Sequence, residues 1–287
     1  MNFTKTYNQK VEEFETHLKR IFGELKDVPD LLYKAIEYSL INGGKRMRPI
    51  LLLETYRIFN GEPDENVIKF AVAVECVHIY SLIHDDLPAM DNDDFRRGRP
   101  SNHKMFGDGV AILAGDALLN LAYELIIEAA NNSNNHKAYL KAAGYFSKSM
   151  GARGLIAGQV VDIKAGSESV TGDMLKFVIR HKTGNLVIAP CAVGAILGGA
   201  TKEEIEHIVK FADFFSYAFQ IRDDVLDYND KGKEDNNTSF VKVYGKSRAV
   251  QTLGDSTQKA RKMLDLLVNR DTTFFKAMTM KFALRKS

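Results

Sequence analysis

Apolar positions recur along this chain every three or four residues, the spacing of a helix face, and almost nowhere in strict alternation. The pattern predicts helices near 3–22, 30–41, 46–60, 64–86, 108–131, 137–161, 171–185, 187–199, 202–228 and 246–268. Within 64–86, Phe70, Val74, Val77 and Ser81 stand at helical spacing, beside Ala71, Ile79 and Leu82. Most segments are apolar over more than half their circumference, the mark of helices buried on several sides in a multi-layer bundle. Gly43-Gly44, Gly61 with Pro63, Pro88, Gly98 with Pro100, 131–135, Gly166, Gly172 and 229–239 read as turns. None has the composition of an interdomain linker. The predicted architecture is all-α: a single domain, 1–287, of about ten helices.

Composition narrows the picture. Of 287 residues, 45% are hydrophobic and 26% charged, the balance of a globular chain with a substantial core. A net charge of +2 gives no global attraction to nucleic acid. Cys76 and Cys191 lie in apolar helical stretches and read as buried free thiols in a reducing cytoplasm. The N-terminus carries neither a signal-peptide core nor a basic transit pattern. No apolar run approaches the length of a membrane span, and the longest, 186–200, is Gly- and Ala-rich, like a closely packed buried helix. No membrane anchor is expected.

The candidate chemistry begins with Asp85-Asp86-Leu87-Pro88-Ala89-Met90-Asp91, followed by Asp93 and Asp94, at the end of an apolar helix. Adjacent carboxylates there repel one another and face the negative end of the helix dipole. A bound cation relieves both penalties, and hard oxygens suit Mg²⁺, which keeps several waters and is shared with phosphates. Pro88 should break the helix and let Asp91 turn back toward Asp85. A second motif, Asp223-Asp224-Val225-Leu226-Asp227, places Asp223 and Asp227 on one helix face. A solvated acidic loop explains one such cluster. It does not explain two, each approached by an apolar helix.

Cations complement them. Gly43-Gly44-Lys45-Arg46-Met47-Arg48-Pro49 sets Lys45 and Arg48 three apart at a helix start, where free backbone N–H groups assist anion binding. Arg96-Arg97-Gly98-Arg99 follows the first acidic motif, and guanidinium groups grip phosphate bidentately. Arg180-His181-Lys182-Thr183-Gly184 adds a lysine and a hydroxyl at a helix interruption. Gly158-Gln159-Val160-Val161-Asp162 puts a polar pair on an apolar helix. His78 shares roughly the face of Asp85. Tyr80 and Ser81 lie about one turn deeper: core packing by default, and the floor under a substrate tail if the acidic cluster holds a diphosphate.

These residues resemble the bacterial-type trans-prenyl diphosphate synthases, densely over 30–228. The specific runs are Gly43 to Pro49, Ser81 to Asp94 with Arg96 to Pro100, the Leu-Ala-Gly-Asp run within Ile112 to Leu118, His181 to Gly184, and Phe219 to Asp224. The resemblance implies antiparallel helices around a deep central cavity, the isoprenoid synthase fold, and a homodimer. It implies Mg²⁺ at Asp85, Asp86 and Asp91, and again at Asp223, Asp224 and Asp227. Gly44, Lys45, Arg48, His78 and Arg97 would hold isopentenyl diphosphate. Arg96, Lys182, Thr183 and Gln220 would hold the allylic diphosphate, the last three also steadying the developing cation. The spacing DDxxxxD marks the farnesyl and geranylgeranyl subtypes.

The expected reaction is ionisation, condensation and elimination, with dimethylallyl and geranyl diphosphates as acceptors of isopentenyl diphosphate. Bulky Tyr80 below Asp85 predicts a C15 product, farnesyl diphosphate. The alternatives are a geranylgeranyl diphosphate synthase and a catalytically weak regulatory subunit. A class I terpene cyclase is disfavoured by Lys45, Arg48 and Arg97, and a structural bundle explains neither charge cluster. Two features depart from the family pattern. After Gly232-Lys233, Asn237-Thr238-Ser239-Phe240 stands where Lys-x-Thr-Tyr is expected, so a lysine gripping the allylic diphosphate is absent or replaced by Lys233 or Lys242. The terminal run from Phe282 to Ser287 also departs from the usual final helix.

Overall fold

The computed structural model describes residues 2–167, 170–231 and 239–284. Gly232, Lys233, Asn237 and Thr238 of the departing segment, and the final three residues, lie outside the described residues. The all-α expectation holds. In chain order the helices are α1 (Phe3–Gly23), α2 (Asp30–Leu40), α3 (Met47–Asn60), α4 (Glu65–Asp85), α5 (Asn102–Phe106), α6 (Asp108–Asn132), α7 (His136–Met150), α8 (Leu155–Ser167), α9 (Gly172–Val178), α10 (Asn185–Leu197), α11 (Lys202–Lys231), α12 (Phe240–Tyr244), α13 (Lys246–Asp265) and α14 (Thr273–Leu284). A π turn, Ile179–Gly184, joins α9 to α10. One two-residue ribbon, β1 (Phe95–Arg96) against β2 (Arg99–Pro100), interrupts them.

The chain forms two compact units, one of residues 1–53 and 62–140, the other of 54–61 and 141–287. The first is built on α4, which Asp64 opens by accepting from the Val67 N–H at 2.9 Å. This helix is buried from Val67 to Tyr80 without interruption and packs along α6. Their contact needs Gly115: a Cβ there would lie 2.1 Å from the His84 Nε2. His84 in turn bonds the Ile112 carbonyl at 3.0 Å. The Leu-Ala-Gly-Asp run therefore reports a helix crossing. The ribbon turns through Arg97 (φ 53°) and Gly98 (φ 75°), and positive φ at both positions is the twist a two-residue hairpin requires.

In the second unit α10 is buried along its whole apolar length from Leu186 to Leu197 and packs on α11, which also runs beside α13. Leu175, Ile179, Ile221, Val225 and Phe240 share one core cluster. Gly158 lets α8 approach the π turn, since a Cβ there would stand 2.3 Å from the Lys182 backbone nitrogen.

Several boundaries correct the sequence reading. The segment 137–161 is two helices, broken between Met150 and Leu155, where a Cβ on Gly154 would lie 1.8 Å from the Ser149 carbonyl oxygen. Segments 171–185 and 187–199 are one continuous helical run through the π turn. The short helices α5 and α12, and α14 near the C-terminus, were not signalled by periodicity. Helices α4 and α6 are also long and apolar enough to cross a membrane by length and composition, against the expectation that no run approaches that length. In α4 72% of the apolar window is buried within the fold, but in α6 only 39% is.

Candidate active site

In the first unit the acidic motif forms at the frayed end of α4. Asp86 still donates its N–H to the Leu82 carbonyl at 3.1 Å, and Leu87 to His84 at 3.2 Å. Beyond Pro88 the chain doubles back. The Asp91 N–H reaches the Asp85 carbonyl at 2.8 Å, and Asn92, at φ 52°, closes on Leu87 at 3.1 Å. Asp91 thus returns to Asp85, as the position of Pro88 predicts.

Asp86 is buried and its carboxylate faces Arg96, whose Nε donates to Oδ1 at 2.9 Å and to Oδ2 at 3.2 Å, with a further contact from Nη2. Nη2 also reaches the Asp93 Oδ2 at 2.9 Å. Burial pushes the Asp86 pKa up, and Arg96 opposes the shift. The predicted metal ligand Asp86 and the predicted diphosphate ligand Arg96 are therefore each other's partners here. Among the described residues no three His, Cys, Asp or Glu side chains gather into a metal cage. The donor chemistry still fits Mg²⁺, which binds through one or two carboxylates and fills its remaining positions with water and phosphate oxygens. Asp85 and Asp91 present that kind of edge.

A cationic cluster forms in the same unit. The Gly44 backbone, at φ 129°, lies against the Arg97 guanidinium, so a Cβ would fall 2.7 Å from Nη1. Arg97 donates to the Gly43 carbonyl. Arg48 Nη1 lies 3.0 Å from the His78 Nε2. Because arginine only donates, Nε2 accepts and the imidazole proton sits on Nδ1. His78 is thereby neutral, and burial, then Arg48 and Arg97, hold its pKa well below the ordinary range. Burial brings Arg48 down to about 10, Glu75 opposing and Arg97 assisting. The Arg48 Nε and His78 Nδ1 are buried without a hydrogen-bond partner. Buried donors left unpaired beside like charges are costly unless an anion satisfies them. The loop is tethered further by Tyr7, whose hydroxyl donates to the Lys45 carbonyl at 2.6 Å.

Tyr80 is 6% exposed and meets His84 edge-on, with ring centroids 5.8 Å apart. Burial, then Tyr123 and Asp85, push its hydroxyl up to about 12. Ser81 turns its hydroxyl onto the His78 carbonyl at 2.8 Å.

In the second unit a chain of hydrogen bonds links four predicted or neighbouring residues. The Thr183 hydroxyl donates to the Gln220 Oε1 at 3.1 Å, and the Gln220 Nε2 to the Asp224 Oδ1 at 2.9 Å. The Phe240 N–H reaches the Asp224 Oδ2 at 2.6 Å. Asp224 is buried, which pushes its pKa up against these bonds. Asp223 is half-buried and Asp227 exposed, one turn apart on α11. Lys182 Nζ pairs with the Asp162 Oδ2 at 2.6 Å. Ser239 and Phe240, from the departing segment, open α12, with the Ser239 hydroxyl oxygen accepting from the Lys242 N–H at 3.1 Å.

Sequence reasoning gave no role to Asp162, Glu75, Arg46 or the Phe240 amide. Glu75 carried a signal, a carboxylate in the middle of an apolar helix. The Phe240 amide carried none.

Residues 29–245 match the Polyprenyl synthetase family. A farnesyl diphosphate synthase of Geobacillus stearothermophilus is 43% identical over 220 residues, covering 77% of this chain and 73% of the relative. A chloroplastic geranylgeranyl pyrophosphate synthase of Capsicum annuum is 40% identical over 248 residues, covering 83% and 67%. The crystal structure of an FPP/GFPP synthase from Zymomonas mobilis superposes with a TM-score of 0.85 at 31% identity, covering 96% of this chain and 97% of that one.

Proposed function

Because the chain belongs to the polyprenyl synthetase family, we propose that it is a magnesium-dependent trans-prenyltransferase that joins isopentenyl diphosphate to dimethylallyl and then geranyl diphosphate, with farnesyl diphosphate as its main product. The observation that carries the reading is the pairing of half-buried Arg48 with buried His78, whose unpaired Nε and Nδ1 call for an anion, together with the exposed Arg97 guanidinium against Gly44. With Lys45 these residues hold the diphosphate of isopentenyl diphosphate. Arg96, Lys182, Thr183 and Gln220 serve the allylic substrate.

Asp85 and Asp91, and Asp223 and Asp227, would hold magnesium, which would supply Lewis acidity toward the departing allylic diphosphate. Asp86 and Asp224 act through the side chains they hold, Arg96 and Gln220. The allylic C1–O bond breaks to release diphosphate, and the isopentenyl double bond attacks C1. The proton lost from the adduct goes to the released diphosphate, so no side-chain base is needed. Thr183 and Gln220, aligned by Asp224, present fixed dipoles to the cation. Holding two anions in register removes much of the entropic barrier.

Tyr80, buried one turn below Asp85, supports the C15 length. The identity to a geranylgeranyl pyrophosphate synthase, close to that of the farnesyl relative, favours C20 as the second reading. Free, buried Cys76 and Cys191 suit a reducing cytoplasm. Helix α6 exposes Ile112, Leu113 and Ile127 at 45%, 58% and 60%, an apolar face suited to a homodimer rather than a membrane anchor.

The test is incubation of the purified protein with Mg²⁺, isopentenyl diphosphate and dimethylallyl diphosphate, with products identified by chromatography and mass. Farnesyl diphosphate supports the proposal. A C20 product moves it to the second reading. No product with either a C5 or a C10 starter, or unchanged turnover in a chelator, defeats it.

A further inference from the structure

One arginine in the anion-binding loop points away from it. Arg46 lies between Lys45 and Arg48, yet its side chain is fully buried and its backbone is left-handed, at φ 48°. Its guanidinium makes four hydrogen bonds: Nη1 to the Glu75 Oε1 at 2.8 Å, Nε to the Glu15 Oε1 at 3.1 Å, and Nη2 to the Leu40 and Ile41 carbonyls at 2.9 and 3.2 Å. The Leu40 and Ile41 carbonyls are among the last of α2, left without partners within the helix. The Arg46 carbonyl accepts from the Ile50 N–H at 3.2 Å and so starts α3, the helix that carries Arg48. One residue therefore ties the start of α3 to α1, to the end of α2 and to α4.

Glu75 is 1% exposed, and its second oxygen, Oε2, is buried without a hydrogen-bond partner. Its charge is felt by both Arg48 and Arg97, where it opposes their loss of protons. Glu75 stands one helical turn from His78, the partner of Arg48, and its negative charge offsets the mutual repulsion of Arg48 and Arg97. It also repels any anion they would bind.

We propose that Arg46 and Glu75 are positioning residues of the isopentenyl diphosphate site: Arg46 locks the loop that carries Lys45 and Arg48, and Glu75 anchors Arg46 while tempering the positive charge at Arg48 and Arg97. The inference rests on the proposed function for the identity of the anion, but its geometry lies wholly within the first unit.

Two readouts test it. In steady-state kinetics, Arg46→Met should raise KM for isopentenyl diphosphate by about tenfold while KM for the allylic substrate and kcat stay within about threefold. Arg46→Lys, which keeps the charge and part of the bonding, should recover part of that loss. Glu75→Gln keeps an acceptor for Arg46 and removes the charge, so it should bind inorganic diphosphate several-fold tighter by calorimetry in EDTA, where the metal-dependent site is silent. A purely structural Glu75 would give weaker or unchanged binding. Equal effects of Arg46→Met on both substrates, or no gain in Glu75→Gln, overturn the inference. Should Arg46→Met fail to fold, the sign of the Glu75→Gln effect decides alone. Absence of turnover in the wild type would defeat the proposed function instead, and the calorimetry would still report on the positioning.

Discussion

Gly44→Ala is the sharpest perturbation of the cationic cluster. The added Cβ would fall 2.7 Å from Arg97 Nη1 and 2.9 Å from its Cζ, distances at which the guanidinium must retreat. The backbone at φ 129° is also poorly tolerated by any residue with a Cβ, at a cost of about 1–3 kcal/mol. A displaced Arg97 forfeits a charge-assisted bond to the substrate anion, worth about 1.5–3 kcal/mol. At about 1.4 kcal/mol per decade, kcat/KM for isopentenyl diphosphate should fall by roughly ten- to a hundredfold. Because Arg97 grips the diphosphate equally in the ground and transition states, the loss should appear in KM, with kcat little changed. The assay is steady-state kinetics with each substrate varied in turn. Gly61→Ala is the control: it carries a comparable strain (φ 84°), and a Cβ there meets nothing within 4 Å. It should lose stability yet keep its KM. A folded Gly44→Ala enzyme with unchanged KM for isopentenyl diphosphate would refute the assignment of Arg97 and Gly44 to that site.

Three further outcomes follow from the site. Tyr80→Ala should lengthen the main product from C15 to C20, read by mass, and an unchanged C15 product places the floor elsewhere. His78 has its folded pKa below the ordinary 6.5, so below that pH the unfolded chain takes up the proton that the fold excludes. Its contribution is thus complete above pH 6.5 and lost as pH falls. The wild-type Tm should drop more steeply from about pH 7 to about pH 5 than that of His78→Gln, and parallel slopes would contradict the neutral imidazole. Asp224→Ala leaves the Phe240 amide and Gln220 without their acceptor, costing about 1–3 kcal/mol. Amide exchange should quicken in α12 and not in α4, and an unchanged α12 would show that Asp224 does not hold it.

The long helices were legible because burial stamps a 3.6-residue period on them, and α4 shows the period filled in almost completely. The turn of Asp91 onto Asp85 was legible because proline cannot continue a helix. What escaped was set by contacts distant in sequence. Nothing in Asn-Asn-Thr-Ser-Phe announces that the Phe240 amide seats itself on Asp224, sixteen residues earlier. The five-residue helices α5 and α12 are too short to show a period. Residue type alone also does not tell which side chains two positions in the charged motifs hold. Arg46 carried no assigned role and is an internal strut. Asp86 read as a metal ligand, and its carboxylate is taken up by Arg96.

The π turn between α9 and α10 has a consequence for how this chain tolerates length changes. A π turn holds one residue more than the α turn it replaces, and an α-helix advances about 100° per residue. Residues on its two sides are therefore out of phase by that angle. Deleting a single residue within 179–184 would restore an unbroken α-helix with every backbone bond still made. It would also rotate α9 against α10 by about a quarter turn, carrying Lys182 off Asp162 or Thr183 off Gln220. The extra residue acts as a phase shifter: the helix would survive without it, and the alignment of its two polar side chains would not.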